Sequence, residues 1–283
     1  DGSYGSSWHP WFRDGEPQLP IQEDETALVL HALWHHFESV KDFEFLQQMY
    51  ESFIKRAARF LCDFREPGTG LPLASYDPWE EHKGIFTYTT ACTIAGLHAA
   101  ARICHILGHY THSERYQSAA DEMRQALLFH LYDEKLGRFL KKIKRKNGKT
   151  TEQDATPDAS ICVIWKLDVL SHEDPRVIST MQQLEETLSV KTKVGGYARY
   201  TNDFYHSVTH PTEDIPGNPW IITTLWNAQW FIRQARTMDD LNKARELIDW
   251  VVRSATPSGI LAEQLNPLTG EPLSVAPLTW SHA

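Results

Sequence analysis

The sequence predicts an all-α chain of helical hairpins, and two observations carry that expectation. Apolar residues recur at three-and-four spacing along most of the chain, and the Gly-, Pro- and aromatic-rich segments between those stripes are alternately long and short. With 283 residues, 41% of them apolar, the chain can bury a sizeable core. The first stripe, residues 26–40, puts Leu30, Leu33, Trp34 and Phe37 on one face, with Asp24 expected to cap it. The second, residues 43–64, aligns Leu46, Met49, Tyr50, Phe53, Ile54, Ala57, Phe60 and Leu61, and the two read as a hairpin. Further helices are expected at about 88–107, 113–131, 157–167, 175–188, 219–236 and 239–254, each opening near Pro, Ser, Thr or Asp. Segments 66–84, 194–217 and 256–279 exceed the roughly 12–15 residues beyond which a loop in a compact domain is usually functional. Their alternation with short connections fits a toroid of hairpins with the long loops gathered at one end.

Composition narrows the functional classes. A formal net charge of −9 disfavours attraction to phosphate backbones, so no nucleic-acid partner is expected. The one basic run, Lys141 through Lys146, is expected to form a solvated hairpin that turns at Asn147-Gly148. No apolar run approaches the roughly 20 residues of a membrane span. Cys62, Cys92, Cys104 and Cys162 sit in apolar stretches without metal-like spacing, so buried free thiols and a reducing interior are the default reading. His31, His35 and His36 share one predicted helix, but Ala32, Leu33 and Trp34 stand where a zinc-protease pattern needs a Glu, and polar surface histidines are expected. Neither a metal nor a cofactor is expected. Ten Trp, ten Tyr and twelve Phe exceed the needs of a core and suit a cleft where rings stack on flat ligands such as sugars.

Three segments carry possible chemistry. In Ser75-Tyr76-Asp77-Pro78-Trp79-Glu80-Glu81, three carboxyls within five residues repel one another, and the indole of Trp79 can desolvate a neighbouring carboxyl and raise its pKa. A solvated acidic loop ahead of a helix is the competing reading. In Ala262-Glu263-Gln264 a single carboxylate proves nothing by itself. In Gly195 to Asp203, followed by Gly217-Asn218-Pro219-Trp220, Arg199 could offer a fork of donors to vicinal hydroxyls, or it could form an ordinary Arg–Asp pair beside a core Trp.

Taken together these segments resemble a known family. Pro20-Ile21-Gln22-Glu23-Asp24-Glu25-Thr26-Ala27, Tyr76 to Glu81, Arg199-Tyr200 with Gly217 to Trp220, and Ala262-Glu263-Gln264 followed by Leu278-Thr279-Trp280-Ser281 stand in the order seen in glucoamylases, glycoside hydrolase family fifteen, prokaryotic branch. The resemblance implies an (α/α)6 barrel whose loops bind the non-reducing end of an α-glucan. It makes Glu80 the general acid and Glu263 the general base of an inverting exo-acting glucan 1,4-alpha-glucosidase. Two such carboxyls stand roughly 6.5–9.5 Å apart in inverting enzymes, leaving room for a water. By the same match Glu81 and Arg199 hydrogen-bond the sugar, Trp79, Trp220 and Trp280 are pocket aromatics, and Trp8 is a further wall residue. Asp77 and Gln264, inside the same motifs, join the substrate-binding set.

The family also carries a Trp-Arg-Asp triplet and earlier barrel helices that this sequence lacks. Residues 1–283 are therefore expected to form one catalytic domain cut at both ends, the larger C-terminal part of the barrel. Trehalases and glucodextranases use the same scaffold, as do non-catalytic regulatory subunits of phosphorylase kinase, and these stay open as alternatives.

Overall fold

The computed structural model describes residues 11–13, 16–18 and 21–283, with side chains from residue 21 onward. The chain divides into two compact units, residues 1–155 with 163–170, and residues 156–162 with 171–283.

In the first unit a short antiparallel pair, β1 (Trp11–Arg13) and β2 (Glu16–Gln18), precedes helix α1 (Glu23–Val40). Glu23, Asp24 and Glu25 all lie in the first turn of α1, where negative charge opposes the positive end of the helix dipole. The helix begins one residue before Asp24, so Asp24 is not its cap; the N-cap is Gln22, whose side chain makes no capping bond. Lys41, at φ 59°, ends α1 through its backbone N–H to Phe37 O. Asp42 then caps α2 (Phe43–Met49) by accepting from Phe45 N. The predicted 43–64 helix is continuous in direction but has a π-helical turn at Tyr50–Ile54 before α3 (Lys55–Asp63).

The loop after α3 pairs β3 (Ser75–Tyr76) with β4 (Lys83–Phe86), and α4 (Thr87–Ile106) follows directly. Helix α4 is buried along nearly its whole length, packed between α1 on one side and α5 (Tyr110–His130) on another. That demands small residues, and Ala91, Ala95, Gly96, Ala99 and Ala100 supply them. After α5, β5 (Tyr132–Asp133) pairs with β6 (Arg138–Phe139), and β7 (Lys142–Lys146) with β8 (Lys149–Asp154).

The β7–β8 hairpin turns at Asn147 and Gly148, both at positive φ, as the Asn-Gly signal predicts. Its base is not solvated as expected, because β7 also pairs with β4 and buries Lys141 and Lys142. The Lys142 ammonium is neutralised by Asp154 at 3.7 Å and lies over the Phe86 ring. Helix α6 (Val163–Lys166) completes the unit.

The second unit opens with a 3-10 turn at Ala159–Cys162, so the helix predicted over 157–167 is a 3-10 turn running into one turn of α-helix. Helix α7 (Pro175–Leu188) is capped by Asp174 and has Pro at its start, where a missing N–H costs nothing. Strands β9 (Tyr197–Ala198), β10 (Pro219–Trp220), β11 (Gln264–Leu265) and β12 (Pro272–Leu273) form a four-stranded sheet in the order β12-β11-β10-β9. Pro219, predicted to open a helix, is therefore in a strand, and α8 (Ile221–Gln234) begins just after it. Helix α9 (Asn242–Ser254) packs on α8, with Ile221, Trp250, Val251 and Leu265 forming a core, and α10 (Thr279–His282) ends the chain.

All four cysteines are free, with Cys92, Cys104 and Cys162 buried and Cys62 half-buried. No helix among the described residues is long and apolar enough to cross a membrane.

Candidate active site

The acidic segment of the first unit folds into a closed loop built around Asp77. Its carboxylate is fully buried, and Oδ1 accepts from the backbone N–H groups of Glu81 at 2.8 Å and His82 at 3.0 Å. The Asp77 backbone completes the ring, with its N–H donating to His82 O and its carbonyl accepting from Glu80 N, both at 3.0 Å. An aspartate that satisfies backbone donors in this way replaces a stretch of secondary structure with a rigid turn. The turn is anchored to the start of α1: Gln22 Nε2 donates to Asp77 O at 3.0 Å and Tyr76 N to Ile21 O at 3.2 Å.

Glu80 sits at the tip with φ 58°, a left-handed conformation that a non-glycine residue adopts at a cost of about 1–2 kcal/mol. Backbone strain held in place by surrounding bonds concentrates at functional sites. Glu80 and Glu81 are half-buried, whereas Trp79 between them and Asp77 is buried.

Beneath this loop lies a group of buried acids. Asp24 accepts from Thr89 Oγ1 at 3.4 Å. Burial pushes its pKa up to about 7, aided by the like charges of Glu25 and Asp77. Glu23 is 1% exposed with neither carboxyl oxygen hydrogen-bonded, and burial, then the charge of Asp24, hold its pKa well above the ordinary carboxylate range.

In the second unit Glu263 lies on the strand-forming loop between α9 and α10. Its backbone is fixed on both sides, with N–H donating to Val275 O at 2.9 Å and carbonyl accepting from Ile221 N at 3.2 Å, the first residue of α8. The half-buried carboxylate is approached by Gln264, whose Nε2 stands 3.3 Å from Glu263 Oε2. Gln264 is itself fully buried, and its Oε1 accepts from Asn218 Nδ2 at 2.7 Å. Asn218 also donates to His206 O at 2.9 Å. A relay Asn218→Gln264→Glu263 thus orients the carboxylate.

Arg199 adopts the ion-pair arrangement that the sequence left open. Its Nε and Nη2 donate to the two carboxylate oxygens of Asp203 at 2.9 and 2.8 Å, and Nη2 also meets Tyr200 Oη at 3.1 Å. The guanidinium is ringed by Tyr200, Tyr205 and Trp220, with ring centroids 4.7, 5.0 and 4.9 Å away. Pair and cage are buried apart from Tyr200, which is half-buried, and the exposed Tyr205. Trp280 stands half-buried with its ring edge-on to Trp226 at 5.7 Å. Ser281 Oγ donates to Ala262 O at 2.9 Å, so the Trp280 segment clasps the Glu263 loop.

The first unit thus brings Asp77, Trp79, Glu80 and Glu81 onto one loop, and the second assembles Arg199, Trp220, Glu263 and Gln264 around one small sheet with Trp280 beside it. Trp8 lies outside the described residues. The roles of Gln22 and Asn218 as supports were not foreseen, although both stand inside the segments that carry the resemblance, whereas the Arg199–Asp203 pair is one of the two readings the sequence offered. Among the described residues no group of three His, Cys, Asp or Glu side chains is placed to hold a metal.

Sequence comparison identifies the family. The profile of Glycosyl hydrolases family 15 matches residues 14–249, and the chain belongs to that family. It is similar to an uncharacterized glycosyl hydrolase of Methanocaldococcus jannaschii, 30% identical over 99% of this chain and 43% of that protein. It is also similar to the glucoamylase of Clostridium sp., 27% identical over 83% of this chain and 35% of that one. A third relative is the trehalase 2 of Sulfolobus acidocaldarius, 22% identical over 94% and 41% respectively. In fold the chain matches a bacterial glucoamylase crystallised with acarbose, at a TM-score of 0.74 and 24% identity, covering 95% of this chain and 40% of that one. The fold is accordingly of the glucoamylase (α/α)6 type, and the chain spans less than half the length of these proteins.

Proposed function

We propose that this protein is an inverting, exo-acting glucosidase that releases β-glucose from the non-reducing ends of α-1,4-glucans, with residues 1–283 serving as part of one catalytic domain. Glu80 is the general acid and Glu263 the general base. In the reaction Glu263 takes a proton from water as the water oxygen bonds to the anomeric carbon, while Glu80 gives its proton to the departing glycosidic oxygen and that C–O bond breaks. Attack from the face opposite the leaving group turns an α-linkage into a β-product.

The observation that carries the reading is the way each glutamate is held. Both side chains are half-buried on loops whose supporting polar groups, Asp77 and Gln264, are fully buried and hydrogen-bonded. An incidental surface glutamate has no such scaffold. Arg199, caged by aromatics, and Trp79, Trp220 and Trp280 supply hydrogen bonds and stacking faces for the sugar, with Glu81 beside the acid. Trp8 adds a further wall by resemblance. Gln264 acts through Glu263 by fixing its carboxylate. Trehalose cleavage is the second reading, favoured by the likeness to trehalase 2.

Proton NMR of the first product tests the stereochemistry. Initial β-glucose from maltose or starch is expected, and initial α-glucose overturns the inverting mechanism. A panel of maltose, isomaltose, trehalose and starch separates the linkages. Glu80→Gln and Glu263→Gln are each expected to lower kcat by about 10²–10⁴-fold while sugar binding persists. Unchanged turnover in either variant removes that residue from the reaction.

A further inference from the structure

The middle of α1 carries a pair of imidazoles that the proposed hydrolysis does not use. His31 and His35 are four residues apart, which stacks them on one face of the helix. Their Nε2 atoms are 3.1 Å apart and their ring planes lie at 72°. Two nitrogens bound in adjacent positions to one metal ion, each at about 2.0–2.1 Å with an angle between right and tetrahedral, are separated by about 2.8–3.4 Å. The pair already stands at chelating distance.

A third side chain makes the arrangement more than a chance approach. Glu38 Oε2 is 3.2 Å from His35 Nδ1. A carboxylate behind a metal-binding histidine fixes its tautomer in this way: with the His35 proton on Nδ1, its Nε2 accepts the hydrogen bond from His31 Nε2–H, and a bound cation would take the place of that shared proton. The local field has both signs, with the carboxylates of Asp168 and Glu38 opposed by Arg102 and by His35 itself.

We propose that His31 and His35 form a two-nitrogen site for a late first-row divalent cation of the zinc, nickel and copper class, with Glu38 as the orienting group behind His35. Among the described residues no third His, Cys, Asp or Glu joins them, so water fills the other positions and the ion is exchangeable. Imidazole ligands select this class and reject Mg²⁺ and Ca²⁺, which take oxygen ligands. A bound ion clips one turn of α1, the helix whose first turn anchors the Asp77 loop, so it stabilises a support of the candidate site without entering the chemistry. The proposal is independent of any hydrolytic activity.

The test is calorimetric titration of the purified protein with ZnCl2 in a non-chelating buffer, for the wild type, His35→Asn and Glu38→Gln. His35 is exposed, so its replacement leaves the fold intact, and far-UV circular dichroism checks this. A zinc site in the wild type that is weakened at least 10-fold in His35→Asn and about 10-fold in Glu38→Gln is expected, with no response to MgCl2. Because the chain has 14 histidines, location is read separately by electron paramagnetic resonance of the Cu²⁺ form, which should report two imidazole nitrogens in the wild type and one in His35→Asn. No zinc binding by the wild type, or equal affinity and the same copper spectrum in His35→Asn, overturns the proposal and leaves the pair as a hydrogen bond only.

Discussion

Replacing Gly96 by alanine should destabilise the protein although alanine is the better helix former. Gly96 lies within α4, where in an exposed helix the change would be worth up to about 1 kcal/mol in favour of alanine. Here a Cβ would stand 2.7 Å from Ala27 O, 2.8 Å from Ala27 Cα and 2.9 Å from Ala27 Cβ on α1. Comfortable carbon contacts are about 3.5–4.0 Å, so the two helices must part by a large fraction of an ångström. Two of the three obstructing atoms are backbone, and no rotamer change relieves them. Overpacking of a tight core costs about 1–3 kcal/mol, and the rigidity of the obstacle points to the upper end, leaving a net loss of about 1–2 kcal/mol. For a protein of this size that lowers Tm by about 2–4 °C per kcal/mol. The effect should also reach activity, because Ala27 is little more than one helical turn from Gln22, which holds the Asp77 loop. A displacement approaching 1 Å at a catalytic group can cost about 100-fold in rate. Urea and thermal midpoints are the assay, with kcat measured alongside. An unchanged or raised midpoint in Gly96→Ala would refute the close-contact argument.

Other perturbations test other contacts. Asp203→Asn removes the counter-charge of a guanidinium that is 2% exposed and should cost about 3–5 kcal/mol in a urea melt; a loss under 1 kcal/mol would show that the aromatic cage alone holds Arg199. Asp24 has a folded-state pKa raised to about 7, so the folded state binds the extra proton and the associated stability is fully present below about pH 4 and lost as pH rises through about 7. Glu23 is shifted in the same direction. Asp24→Asn should therefore flatten the decline in urea midpoint between pH 4.5 and 8, and an identical slope in the variant would assign the effect elsewhere. Gln264→Ala removes the side-chain donor nearest the Glu263 carboxylate and should lower kcat about 10-fold with KM little changed, whereas a rise in KM alone would mean that Gln264 acts on the sugar.

The amphipathic helices were legible in the sequence because each buries one stripe, and a stripe is a local periodic signal. The boundaries of α7 and α9 fall within a few residues of expectation for that reason. The small sheets were not legible: strands of two residues, such as Ser75–Tyr76 and Gln264–Leu265, are too short to show alternation, and long-range pairing defines them. The π-helical turn at Tyr50–Ile54 is hidden by an apolar stripe that runs straight through it. Lys142 was misplaced because its charge predicts solvent, while its register opposite Phe86 dictates burial and an ion pair. The two glutamates came from motif order, not from any property of a single segment, which is why a lone Glu263 carried no weight in isolation.

The supports of those glutamates lay beyond any local reading, since Gln22 and Asp77 are 55 positions apart and Asn218 and Gln264 are 46 apart. Their chemistry nevertheless follows one rule. At each glutamate loop the long-range tether is a neutral carboxamide. A lysine or arginine at position 22 or 264 would also donate a hydrogen bond, but its full charge would pair with the neighbouring carboxylate and oppose its protonation. An amide fixes geometry through a donor of weak field and leaves the charge of the carboxyl group free to change during a proton transfer. In the second unit the buried Arg199 guanidinium is neutralised by Asp203 through two hydrogen bonds. Positioning by amides and neutralisation of the buried Arg199 guanidinium are what a pair of glutamates needs if one must give up a proton and the other must take one.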